Sequence, residues 1–183
     1  MAFRATSYGP SVAKILGMDG DGLRPMPLAP AGVSCPAAVA ALKGRKSRDM
    51  FPDSRVPDGA MAGLYLYFSA LDTAHSIAQD LETRDGSFWH GIMHRQEPDE
   101  SNAAYWFRRV GNHAIFTALH KHAAALGFNT GVEWNPFQFI DFCESARRKP
   151  GSADEDLAMR VQLVEWQLLF DHCACPGNGK AGK

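Results

Sequence analysis

The chain has 183 residues, 45% of them hydrophobic, and a formal net charge of -1. That is enough for one domain with an ordinary core and no covalent or metal staples. Near-neutral charge leaves no overall field to draw duplex nucleic acid or anionic lipid, and no apolar run reaches the length of a membrane span. Four cysteines, Cys35, Cys143, Cys173 and Cys175, lack paired C-x-x-C spacing, and the N-terminus lacks the apolar stretch of a secretory signal. A reducing, cytoplasmic setting is therefore expected.

Residues 1–57 are rich in Gly and Pro and read as an irregular arm carrying one short helix, 36–46, that ends in the basic run KGRKSR. Such a run at a helix end is expected to be solvated. The helical domain is expected over 58–175, with a flexible tail over 176–183. Leu64, Tyr67, Phe68, Leu71, Ala74, Ala78 and Leu81 recur at three- and four-residue spacing, which predicts one long amphipathic helix running to about residue 82. A short helix follows over 87–96, capped by Asp85 or Ser87 and stopped by Pro98.

The next helix is expected after Asp99, ending at Gly111, and the one after it over 113–126, closed by Gly127. Asn135 followed by Pro136 predicts a helix start, with that helix reaching about 148. Ser152 with Glu155 three residues on is a capping box opening the last helix, 152–172. No strand alternation is visible. The expected fold is all-α, an irregular bundle of about five to six helices.

The chemistry concentrates in 88–111, FWHGIMHRQEPDESNAAYWFRRVG, where aromatics alternate with His, Arg and carboxylates. On the short helix His90, His94 and Glu97 share a side, a geometry able to hold a divalent metal such as Zn, Fe or Mn. His75 falls inside the apolar arc of the preceding helix, with Asp72 on its border, and completes the expected metal set. The turn between the two helices would bring His75 to the same end as His90. Asn102, Tyr105 and Arg109 line one side of the following helix, and with Arg95 they could hold a small anion through paired guanidinium hydrogen bonds. The alternative for all of these groups is a closed polar network inside the bundle.

His172, Cys173 and Cys175 form an HCAC cluster, for which idle thiols near the chain end are the simpler account, because a full ligand set is missing. His120 and His122 point to different sides of their helix. Trp134, Phe137, Phe139 and Phe142 are expected to be mainly core.

The run W-H-x-I-x-H-R-x-E-x-D-x-x-N-x-x-Y-W-x-R-R-V-G, preceded by ALDTAHSIAQ, resembles the signature of a family of helical proteins with no activity attached to it. The resemblance covers about the middle third of the chain. It implies a shared helical fold and a shared site, and supplies no catalytic residues. Two functions stand against each other: a metal-dependent enzyme, hydrolytic or oxidative, acting on a small anionic substrate, and a metal-free binding or scaffold protein. Phosphate-cradling glycine loops, a dinucleotide fingerprint and a nucleophile elbow are all absent.

Overall fold

The computed structural model describes residues 3–177, and these form ten α-helices with no strand among the described residues. They are α1 (Pro10–Leu16), α2 (Pro36–Leu42), α3 (Ser47–Met50), α4 (Pro57–Tyr67), α5 (Leu71–Gln79), α6 (Arg84–Gln96), α7 (Glu100–Val110), α8 (Phe116–Leu126), α9 (Pro136–Arg147) and α10 (Ala153–Ala174). The all-α class holds, with more helices than the five or six expected. No helix among the described residues is long and apolar enough to cross a membrane.

α4 is the central element. Every residue from Gly59 to Tyr67 is buried, as expected of a helix that is apolar all round. Small residues let its neighbours close in: a Cβ on Gly63 would lie 2.9 Å from the Trp89 ring and 3.0 Å from Phe170. The same Gly63 carbonyl accepts from Trp166 Nε1 at 2.8 Å. This close approach brings α6 and α10 onto α4, burying Trp89, Trp166 and Phe170 completely. Each such side chain adds about 1.5–3 kcal/mol through the apolar surface removed from water.

The expected long helix over 64–82 is two helices. Ser69 takes a left-handed φ of 58°. Ser69 N–H donates to Leu66 and Ala70 N–H to Tyr65, both at 2.9 Å, the paired bonds of a Schellman stop. Glycine usually occupies that position because a Cβ is disfavoured there, so serine hides the break from any reading of turn residues. The N-terminal segment helps to hold the stop in place. Ser34 N–H donates to Phe68 O at 2.9 Å, and Arg24 Nη2 donates to Tyr67 O at 2.6 Å.

Residues 3–57 contain α1, α2 and α3, rather than one short helix over 36–46, and they contribute Val12, Leu16, Met26, Leu42 and Phe51 to the buried core. The basic run is largely exposed, as its charge requires.

Starts and stops farther along follow local chemistry. Thr83 caps α6, its Oγ1 accepting from Gly86 N–H at 3.1 Å, so α6 opens three residues earlier than expected and neither Asp85 nor Ser87 is the cap. Asp99 caps α7, Asn135 caps α9, and Ser152 caps α10 by accepting from Glu155 N–H at 3.2 Å. α8 begins at Phe116, which leaves His113 outside the helix in which it was expected. Of the expected tail, residues 178–183 lie outside the described residues.

Candidate functional site

α6 carries the site because α5 and α7 pack on either side of it. Gly91 makes the α7 contact possible: a Cβ there would come within 2.6 Å of the Phe107 ring. His75 of α5 lies against both motif histidines, with ring centroids 4.8 Å from His90 and 5.6 Å from His94. The His90 and His94 rings are 6.2 Å apart and nearly parallel. Trp106 of α7 stacks on His90 at 4.0 Å, and the Arg109 guanidinium lies 5.5 Å from the Trp106 ring.

The hydrogen bonds decide which nitrogen of each imidazole is available. His90 Nδ1 is 2.9 Å from Gly86 O. A carbonyl only accepts, so Nδ1 carries the proton and Nε2 carries the lone pair. That Nε2 is buried and has no hydrogen-bond partner. Burial pulls the His90 pKa down to about 4, opposed by the Gly86 bond and helped by the nearby Arg109 cation. His90 is therefore neutral near pH 7.

His94 Nδ1 lies 3.0 Å from Glu97 Oε2. The carboxylate fixes that proton on Nδ1 and leaves Nε2 as an acceptor, where the Asn102 amide approaches to 3.3 Å. Glu97 thus touches a ring nitrogen in the manner of a carboxylate that orients a metal-binding histidine.

Several expected members sit elsewhere. Asp72 is exposed, and among the described residues its carboxylate pairs with no histidine. Tyr105 is 47% exposed, and Arg109 lies 5.9 Å over its ring. Arg95 is not at the surface of the site: it is buried against Glu165, with Gln162 Oε1 accepting at 3.2 Å from Nη2 and the Phe139 ring 4.5 Å away. Gln162 in turn donates to Pro27 O at 3.0 Å. A carboxylate in the middle of a mainly apolar helix stretch, Glu165 in LVEWQLLF, was the sign that a buried cation would be needed opposite it.

A second histidine cluster forms at the start of α6, from residues far apart in sequence. Asp85 Oδ1 lies 3.0 Å from His113 Nε2 and 3.1 Å from His172 Nε2. These three ligand-type atoms fall within 4.8 Å of one another, the one set of its kind among the described residues. The tautomers nevertheless oppose a metal. Arg55 Nη1 stands 2.6 Å from His172 Nδ1, and Ile115 N–H donates to His113 Nδ1 at 3.4 Å. Each Nδ1 therefore accepts, and each Nε2 carries a proton donated to Asp85. Burial raises the Asp85 pKa, but the hydrogen bonds donated by His113 and His172 outweigh it and hold the carboxyl well below the usual range.

The HCAC thiols take no part in either cluster. Cys173 is buried, and burial with the Asp171 contact pushes the Cys175 thiol up to about 11. His120 instead binds Gly131 O through Nε2 at 3.1 Å.

No family model, no curated protein and no solved structure matches the chain. The class of site is thus defined by its own geometry: two imidazoles held through Nδ1, one with an unpartnered Nε2 and one whose Nε2 faces the Asn102 amide, beside an aromatic wall and an arginine.

Proposed function

We propose that the α5–α6–α7 face binds one divalent transition metal through His90, His94 and His75, and that the protein is a metal-dependent enzyme acting on a small anionic substrate drawn by Arg109. One observation carries this reading. Both motif histidines have Nδ1 committed to an acceptor, Gly86 O for His90 and Glu97 for His94, so the Nε2 lone pair that zinc, iron or manganese needs is unpartnered on His90 and on His94 is shared only with the Asn102 amide, which a metal would displace.

Glu97 acts here on His94 rather than as a ligand, and Asp72 stays in solvent. The ligand set is then three imidazoles with an open position. Such a set favours hydrolytic over oxidative chemistry, because a metal-bound water with a lowered pKa becomes a nucleophile near neutral pH. The half-buried His75 stands on its own helix and is the member that moves to close the set. Arg109 holds the substrate anion beside the metal, with a planar fork that lysine lacks.

A second reading has its own support: Asn102 already contacts His94, and nearby Arg95 and Glu165 form a closed buried pair. In that reading the cluster is a structural network.

Protein purified without an affinity tag separates the two. The metal reading expects stoichiometric zinc, iron or manganese, a melting temperature lowered by chelator, hydrolysis of activated carboxylate or phosphate esters that chelation abolishes, and loss of metal in His90→Ala and His94→Ala but not in His120→Ala. The network reading expects metal-free protein and a melt indifferent to chelator. The same substitutions would then cost only lost hydrogen bonds, about 1–3 kcal/mol where a buried partner is left unsatisfied.

A further inference from the structure

On another side of α7, its C-terminal end and the segment leading into α9 border an open cleft of about 770 Å³, a size suited to a small organic ligand. Its wall is aromatic. Phe116 and Phe137 line it, Phe137 is 39% exposed, and the neighbouring Val132 is 98% exposed. Exposed apolar side chains around one concavity offer a ligand more surface than scattered ones do.

Trp134 belongs to the same wall. It is only 4% exposed, and its Nε1 is buried with no hydrogen-bond partner. An indole N–H can only donate, so a ligand that satisfied it would bring an acceptor. Arg108 also lines the cleft, is exposed, and forms no ion pair among the described residues. The twelve-residue helix α9 opens here too. Its first N–H groups, of Phe137 and Gln138, are already bound by Asn135 Oδ1, so they add the positive end of a dipole rather than free donors. Glu133 is the one acidic side chain in the wall.

We infer that this cleft binds a small aromatic monocarboxylate. Its ring lies against Phe116 and Phe137, and its carboxylate accepts from Trp134 Nε1 and Arg108, away from Glu133. A neutral acceptor would satisfy the indole alone. The carboxylate also uses the arginine, through a charge-assisted bond about twice as strong as a neutral one.

The test is calorimetric titration of the full chain with three probes of one shape: 3-phenylpropionate, its primary amide and 3-phenylpropylamine. The carboxylate is expected to bind saturably at one site, about tenfold tighter than the amide, and the amine not at all. Arg108→Gln changes an exposed side chain, keeps the fold, and is expected to lower carboxylate affinity about tenfold. Trp134→Phe keeps the aromatic body and is expected to weaken the carboxylate and the amide alike, by a few-fold. His90→Ala should bind the carboxylate as the unaltered protein does, which separates this cleft from the proposed metal centre. Equal affinity for carboxylate and amide, binding of the amine, indifference to Arg108→Gln, or loss of binding in His90→Ala would each overturn the inference.

Discussion

At the start of α6, Asp85 accepts from two imidazoles whose other nitrogens face N–H donors, Arg55 for His172 and Ile115 for His113. Five and nine residues further along, His90 and His94 donate Nδ1–H to Gly86 and Glu97, which leaves Nε2 without a partner on His90 and facing the Asn102 amide on His94. By distance alone the first cluster is the better metal site, since its three ligand atoms already lie within 4.8 Å of one another. By protonation it is the worse one. A metal there would displace two Nε2 protons and turn each Nδ1 into an N–H facing another donor. The lesson is that the partner of the far nitrogen, as well as the proximity of near ones, sets whether a histidine has a lone pair to offer.

The largest effect that should separate the two clusters comes from the first. Asp85→Ala removes the shared acceptor of His113 and His172, and should cost about 3 kcal/mol in urea unfolding while leaving metal content unchanged. An equal loss of metal in this variant would merge the clusters into one site. Next in size, zinc at a hundred times its Kd should stabilise the protein by about 2.7 kcal/mol. Asp85→Ala should keep that increment and His90→Ala should lose it, as read from the melting curve with and without zinc.

Acid should act on both clusters over different ranges. The His90 pKa in the fold is about 4 against an ordinary 6.5, so the unfolded chain binds the proton first. Metal-free stability should therefore fall as pH drops from about 6.5 to about 4, by on the order of 2 kcal/mol, and His90→Ala should flatten that slope. The depressed Asp85 carboxyl contributes stability above its ordinary range, and that part is lost only at still lower pH, as the folded group protonates. The smallest effect concerns the two neighbouring arginines. Arg109→Lys should weaken a small anion at the histidine face by a few-fold through loss of the planar fork. Arg108→Lys should leave that binding unchanged.

Helix starts written in local chemistry could be read from the chain: Asp99 before α7, Asn135 and Pro136 at α9, Ser152 and Glu155 at α10. So could the meeting of His75 with His90 and His94, because a tight return between amphipathic helices puts neighbouring ends together. What could not be read depended on groups distant in sequence. Ser69 stops α4 with support from Arg24 and Ser34, and nothing in the local pattern marks that stop. Arg95 lies in the motif with the other site residues, yet its partner is Glu165, seventy positions away. The Asp85 cluster draws on residues 55, 113 and 172, each unremarkable where it stands.

The central claim is a statement about protons on four imidazoles, and nitrogen-15 NMR of the metal-free protein near pH 7 observes them directly. His90 and His94 should show the Nδ1–H tautomer, and His113 and His172 the Nε2–H tautomer. Adding one equivalent of zinc should then shift the Nε2 resonances of His90, His94 and His75 and leave His113 and His172 in place. Nε2–H tautomers at His90 and His94, or zinc shifts confined to His113 and His172, would contradict it.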